Sequence, residues 1–234
     1  MAFSIWRQFE SEITHEPALT LRGYLADPTA IVDAKKAGIV VPTGEDFKRD
    51  PAFNPNPHAL KLPTEYLEMA FLVRTLAVWG WQPLVCSAVL ASNIQLKARA
   101  TLHDEIQHAC IAAATSASTF LQEPTENNRN EARIRADACS QYFKQHEENP
   151  DTPEAGALWL RLGACWFAAE AAAQDHSLAE WDGPGPAQGN VVWGNRNSVW
   201  PTRAVEAACE IDSYSSVLEQ IKNGLIEWTR RLKS

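Results

Sequence analysis

Residues 153–174, PEAGALWLRLGACWFAAEAAAQ, are the stretch of this sequence that decides its fold. Proline opens the run and only Glu154, Arg161 and Glu170 within it are charged. Proline is favoured in the first turn of a helix, and a helix without a polar face normally lies at the centre of its domain. The pattern therefore predicts a buried central helix, whose alanines and glycines let neighbouring helices approach closely.

Helical signals continue on both sides of this central stretch. Apolar residues recur at steps of three and four, and prolines or capping residues stand where helices should begin. Asp27, Pro28 and Gly38 predict a cap, a first helical residue and a stop for one short early helix. The further predicted helices are 63–79, 83–95, 102–121, one that Thr125 caps, 202–211, and 214–232 with the seam Val217, Leu218, Ile221, Leu225, Trp228 and Leu232.

Only two short runs, residues 39–41 and 191–193, look like strands. We therefore predict an all-α fold, a single-domain multi-helix bundle.

Two irregular segments interrupt the helical pattern. Seven of the 14 prolines lie at or before Pro63, and proline fixes φ and lacks the backbone N–H. Residues 38–62 are thus predicted to form an ordered strap or loop. We expect residues 1–62 to be an N-terminal helix and Pro-rich strap packed on a helical domain of residues 63–234. A second, long loop, residues 180–201, is rich in Trp, Gly and Pro.

The charge balance restricts the classes of partner. Lys and Arg number 21 against 29 Asp and Glu, a formal net charge of −8. A negative field repels phosphate backbones and anionic lipid, so the sequence argues against nucleic acid and membrane and favours a protein with a basic surface. The N-terminus shows no signal-peptide pattern and no apolar run is long enough to span a bilayer. These features predict a cytoplasmic protein.

Five cysteines are spread along the chain, with no CxxC pair among them. That spacing is not typical of a zinc ribbon, a redox motif or a disulfide framework. Most of the cysteines stand in Ala-rich helical stretches. We expect all of them to be reduced packing residues and none to be a nucleophile.

The strongest metal-binding pattern is Glu-x-x-His, the spacing that ferritin-like bundles use for di-iron sites. It occurs at Glu105 and His108 and again at Glu12 and His15. At about 100° per residue, His108 projects away from the apolar centre of its helix near Ala113, and Glu105 lies on the flank. The periodicity therefore predicts a solvated helix face with no metal and no cofactor, and a helical metalloenzyme remains the alternative.

Nine tryptophans are an unusually large number for this length. Trp159 and Trp166 stand one heptad apart on the central helix. Trp79 and Trp81 bracket a helix junction. We expect these four to be core residues.

Three more tryptophans, Trp181, Trp193 and Trp200, lie in the long loop with Asp182 and Arg196 nearby. One interpretation is a loop held to the core by its own aromatic side chains. The other is a recognition surface, because Trp and Arg are enriched at binding hot spots. These five residues are the predicted partner-binding site.

Several segments share a pattern: Pro124-Thr125-Glu126-Asn127-Asn128-Arg129 with Ala132 and Ala136 on the same helix, Thr152-Pro153-Glu154 leading to Trp159, Cys165-Trp166-Phe167, a Gly/Pro-rich loop, Thr202-Arg203-Ala204-Val205, and residues 78–90 upstream. Through these segments, residues 63–232 resemble a bacterial all-helical domain family of unknown function that recurs beside type VI secretion and toxin–immunity genes. The resemblance implies a helical fold and a genomic setting, with no site residues.

Together these features predict a non-enzymatic protein-binding factor of a secretion or toxin system. We expect an immunity protein that neutralises a cognate toxin, or an effector adaptor or chaperone. The alternatives from other classes are the metalloenzyme and a structural or assembly subunit, and a homodimer is compatible with each.

Overall fold

In the computed structural model, residues 12, 13, 15–49, 64–98, 105–145, 153–176 and 198–232 are described, without the side chains of 47–49 and 153–161. These residues form ten α-helices, one 3₁₀ turn (Ala77–Trp79) and no strand, so the all-α prediction is confirmed. The helices are α1 Pro17–Tyr24, α2 Pro28–Lys36, α3 Gly44–Arg49, α4 Thr64–Leu76, α5 Trp81–Ala98, α6 Glu105–Gln122, α7 Glu126–Gln145, α8 Pro153–Ala173, α9 Val199–Cys209 and α10 Tyr214–Arg231.

The predicted N-caps at Asp27 and Thr125 are present, while a third predicted N-cap, Thr152, lies outside the described residues. The Asp27 side chain accepts a hydrogen bond from the Thr29 N–H at 3.1 Å, which satisfies a donor at the start of α2. Gly38 follows the end of α2 at φ +71°, a conformation that favours glycine. At the start of α7, the Thr125 hydroxyl accepts from the Asn128 N–H at 3.3 Å. Local side-chain chemistry therefore sets these helix ends.

The central helix is α8, as predicted. It packs against α5, α6, α7 and α9, and its side chains from Leu162 to Ala173 are buried except for the half-buried Trp166 and Glu170. A Cβ at Gly163 would stand 2.9 Å from the Ala207 Cβ on α9, closer than real Cβ atoms approach. Glycine at this position therefore allows the close contact between the two helices.

The N-terminal region departs from the prediction. Two helices, α1 and α2, stand where one was expected, because Pro17 opens a helix of its own. The predicted strap contains the short helix α3, whose start is closed by hydrogen bonds between Thr43 and Asp46. Residues 39–41 pair with no strand among the described residues, while residues 50–63, including the rest of the strap, lie outside them.

Several other boundaries also differ; the helix predicted at residues 202–211, for example, spans Val199–Cys209. Helix α5 begins at Trp81, before the proline at which a start was expected, and proline is tolerated there because it stands in the first turn. Leu232, predicted to belong to the seam of the last helix, is the residue directly after α10 and is 62% exposed.

The apolar core has two main parts. The larger draws mainly on α4, α5, α8, α9 and α10, with smaller contributions such as Leu21 of α1 and Phe120 of α6. The smaller joins α6, α7 and α8 around three cysteines, Cys110, Cys139 and Cys165. All five cysteines of the chain are buried and unpaired by disulfides, which confirms the prediction of packing residues. Within the described part of the chain, no helix combines the length and apolar content needed to cross a bilayer.

Candidate functional site

Of the five predicted partner-binding residues, one is described, and it is helical and not in a loop, because α9 begins at Val199. Trp181, Asp182, Trp193 and Arg196 lie outside the described residues, so their role stays a prediction. Trp200, on α9, is half-buried and stacks on Phe167 with ring centroids 5.6 Å apart and planes 16° apart. This contact is the kind expected of an aromatic side chain that fastens a segment to the core.

A groove elsewhere on the surface has more of the features of a binding site. It has a volume of about 580 Å³, within the range of ligand-binding clefts. Four parts of the fold form its walls: the start of α1, the junction of the 3₁₀ turn with α5, the end of α6 and the end of α10. We call it the tryptophan groove; its lining residues are Glu16, Pro17, Ala18, Leu21, Trp79, Trp81, Gln82, Pro83, Leu121, Pro124, Trp228, Thr229 and Leu232.

Trp79 is the most deeply placed indole of the groove. It is 8% exposed, its Nε1 donates to the Thr20 hydroxyl at 2.9 Å, and its ring lies 5.0 Å from that of Tyr24. Gly80 then takes φ +96°, a value that other residues rarely adopt, and the chain turns into α5. This turn brings Trp79 and Trp81 to the same groove from two different helical segments.

Trp81 is held by aromatic neighbours. Its ring stacks on the His176 imidazole at 4.7 Å and lies at a tilt 5.2 Å from Phe120. Neither imidazole nitrogen makes a hydrogen bond within the described residues; the Ala171 backbone lies near, but without hydrogen-bond geometry. Burial, followed by the positive charge of Arg129, lowers the pKa of His176 to about 4. The imidazole is therefore neutral at physiological pH and acts as an aromatic support for Trp81.

The groove contains polar donors without partners. Within the described part of the chain, neither the indole N–H of Trp81 nor that of Trp228 makes a hydrogen bond, and the Gln82 amide makes none. Both indoles are half-buried and Gln82 is exposed. Elsewhere, the Trp166 indole donates to Glu170 at 3.1 Å. Donors on an apolar surface that lack internal partners are available to a bound molecule.

One wall of the groove is fixed by a buried ion-pair network. The Asp27 side chain is fully buried and lies 3.5 Å from Nη1 of Arg22. Nη2 of Arg230 donates to both of its carboxylate oxygens at 3.2 Å. Arg230 stands on α10 directly after Trp228 and Thr229, so the network ties the end of α10 to α1 and α2.

Within the described part of the chain, the Glu-x-x-His pairs are not gathered into a metal centre. Glu105 and His108 are both exposed on α6, which confirms the predicted solvated face. His15 is exposed as well, and Glu12 is half-buried. Among the residues that the structure describes, no group of three or more His, Cys, Asp and Glu side chains is arranged to hold a metal ion.

The buried thiols are poor nucleophiles. A hydrogen bond with Cys110, together with burial, raises the pKa of Cys165 well above its usual range. Burial raises the pKa of Cys139 and of Cys209 to about 12. Since the thiolate is the nucleophilic form, these cysteines are protonated at neutral pH and fit a packing role.

The sequence interpretation missed the groove because it assigned Trp79 and Trp81 to the core and Trp228 to a helix seam. The assignment is right for Trp79 and incomplete for the other two. The available signal was the segment Val78-Trp79-Gly80-Trp81-Gln82-Pro83, where two indoles flank a glycine at a helix junction.

The groove is therefore the candidate site. Its described lining residues offer a ligand three indole rings, hydrogen-bond donors without internal partners, and one charged side chain. Comparisons of the chain with protein-family models, with curated proteins and with solved structures find no match.

Proposed function

We propose that this chain is a non-enzymatic protein-binding factor of a bacterial secretion or toxin system, and that it acts as an immunity protein for a cognate toxin. The observation that supports a binding role is the tryptophan groove with its unpaired donors. Tryptophan is among the residues that contribute most to protein–protein affinity, particularly at the centre of an interface. The groove would form that centre, inside a standard interface of about 800 Å² per partner.

The charge of the chain supports a basic partner. With a net charge of −8, the protein attracts a toxin whose active groove is positively charged, and complementary fields speed association. The secretion or toxin setting is taken from the family resemblance of residues 63–232.

The test is co-expression with the toxin encoded beside the gene of this chain. The expected result is that the chain restores growth and co-purifies with the toxin. The matched variants are Leu232→Asp in the groove and Ile134→Asp on α7, since Leu232 is 62% and Ile134 58% exposed. We expect Leu232→Asp to weaken binding at least about tenfold, because it places a charge in an apolar contact, and Ile134→Asp to leave growth rescue intact.

Failure of the unchanged chain to rescue growth or to bind the toxin would end the immunity proposal. Equal rescue by both variants would show that binding occurs away from the groove. Similar amounts of each variant in the cell lysate, and matching circular dichroism spectra, ensure that the comparison concerns binding and not folding.

A further inference from the structure

We propose that the tryptophan groove binds an extended, proline-containing segment of the partner, with a basic side chain beside the prolines. This inference rests on the proposed function, since it names the chemistry of the partner at that site. It follows from three properties of the groove: unpaired donors, few side-chain acceptors, and a single charged residue among the described lining residues.

The unpaired donors select for a partner whose carbonyl groups are free. The indole N–H groups of Trp81 and Trp228 and the amide of Gln82 need acceptors when water is removed from the groove. An α-helix uses its own carbonyl groups internally, except in its last turn. A polyproline II segment has no internal hydrogen bonds, so its carbonyl groups remain available along its whole length.

The scarcity of side-chain acceptors favours proline. The described lining side chains offer oxygen acceptors at only three residues, Glu16, Gln82 and Thr229, and Thr229 is buried. The N–H groups of an ordinary backbone would have to reach one of these side chains or a carbonyl at the end of α6 or α10, and any N–H that reached none would stay unpaired. Proline has no N–H, so a segment with several prolines leaves fewer such groups unpaired.

The shape of the surface agrees with this choice. Rigid indole faces, one of them braced by His176, present flat apolar area to the flat rings of proline. Aromatic-lined grooves are a recurring way to bind polyproline II segments, because such segments lose little conformational entropy on binding.

The charge of the groove selects for a basic neighbour of the prolines. Glu16 is exposed at the rim and is the only charged residue among the described lining residues. Its carboxylate, within a chain of net charge −8, favours Arg or Lys over Asp or Glu in the bound segment. Because the pair is exposed, its contribution should be small and should fall with salt.

The test is calorimetric titration of the full-length chain with three synthetic decapeptides. One has proline at every third position and a terminal Arg, the second replaces each proline by alanine, and the third replaces the Arg by Glu. We expect the first peptide to bind most tightly, the second to bind weakly or not at all, and the third to lose a few-fold in affinity. Trp81→Phe and Trp228→Phe keep an aromatic ring but remove the donor, so each should weaken binding roughly two- to tenfold.

Trp166→Phe is the matched control, because that indole is paired with Glu170 outside the groove; it should leave peptide affinity unchanged. Tighter binding of the alanine peptide, or no binding of the proline peptide at about 1 mM, an affinity near −4 kcal/mol, overturns the inference. Reversible dimerisation that Leu232→Asp abolishes would overturn it too, with a second copy as the occupant. If the toxin still binds through the groove and the proline peptide does not compete, only this inference fails and the proposed function stands.

Discussion

Two regions of this molecule place reactive or polar groups in an apolar setting: the thiol cluster of Cys110, Cys139 and Cys165, and the tryptophan groove. The thiol cluster is sealed: its side chains are buried, and the Cys165 N–H donates to the buried Gln95 side chain at 3.0 Å. The groove is open and retains donors without partners. The comparison teaches that burial and hydrogen-bond satisfaction, and not residue type, decide which region can serve binding.

The largest expected effect concerns the ion-pair network of Asp27, Arg22 and Arg230, which fixes one wall of the tryptophan groove. Asp27→Ala leaves the buried Arg22 guanidinium without its carboxylate, and removing one partner of a buried ion pair typically costs about 3–5 kcal/mol. We expect a loss of this size in urea unfolding. The control is Asp33→Ala, because Asp33 is 48% exposed and lies 3.9 Å from the exposed Lys36; its effect should stay within about 0.5 kcal/mol.

A loss below about 1 kcal/mol for Asp27→Ala would contradict this account of the wall. The remaining interactions of Arg230, which also pairs with Glu227 on its own helix, would then be enough to hold α10.

Much of the sealed region could be predicted from the sequence. The apolar run of α8 and the cap of α7 at Thr125 are consequences of local spacing. The burial of the cysteines follows from their positions on apolar helical seams. In each case the deciding contacts lie within one helix or on one helical face, where periodicity is informative.

The groove could not be predicted in the same way. Its walls come from the ends of four segments that are distant in sequence, and periodicity says nothing about how such ends meet. Whether an indole N–H is paired also depends on the tertiary structure. Trp166 bonds to Glu170 one turn away, a contact visible in the sequence, whereas Trp79 bonds to Thr20, far along the chain.

A second prediction tests whether the hydrogen bond from the Cys165 N–H to the Gln95 side chain keeps the thiol cluster closed to solvent. Gln95→Leu removes the acceptor for the Cys165 N–H, and we expect a loss of about 1–3 kcal/mol in unfolding free energy. The thiols should also react faster with a thiol reagent, because local opening exposes them. Gln122→Leu, at an exposed position on α6, is the control and should change neither quantity measurably. If stability and labelling rate are both unchanged in Gln95→Leu, packing alone closes the cluster.

The smallest expected effect is a pH dependence of stability that comes from His176, the residue that supports Trp81 in the groove. The pKa of His176 is lowered to about 4 in the folded chain, against an ordinary value of about 6.5. The unfolded chain therefore binds a proton first, and the contribution of this group to stability is complete above about pH 6.5 and is lost as the pH falls toward 4. Because the imidazole is partly exposed, we expect about 1 kcal/mol between about pH 7.5 and about pH 5.5.

His176→Phe isolates this contribution, since it keeps an aromatic ring against Trp81 and cannot titrate. Of the charged groups near the imidazole, Arg129 adds to the lowering of the pKa and Asp175 opposes it. Burial raises the pKa values of Glu170 and Glu206, so these groups stabilise the fold as the pH falls. The pH dependence of the wild-type unfolding free energy therefore combines several titrating groups. The quantity to measure is the difference in unfolding free energy between the wild type and His176→Phe at each pH. If stability depends on pH in the same way in the wild type and in His176→Phe, then His176 is solvated and does not brace Trp81. The tryptophan groove would then lack the support that keeps it rigid.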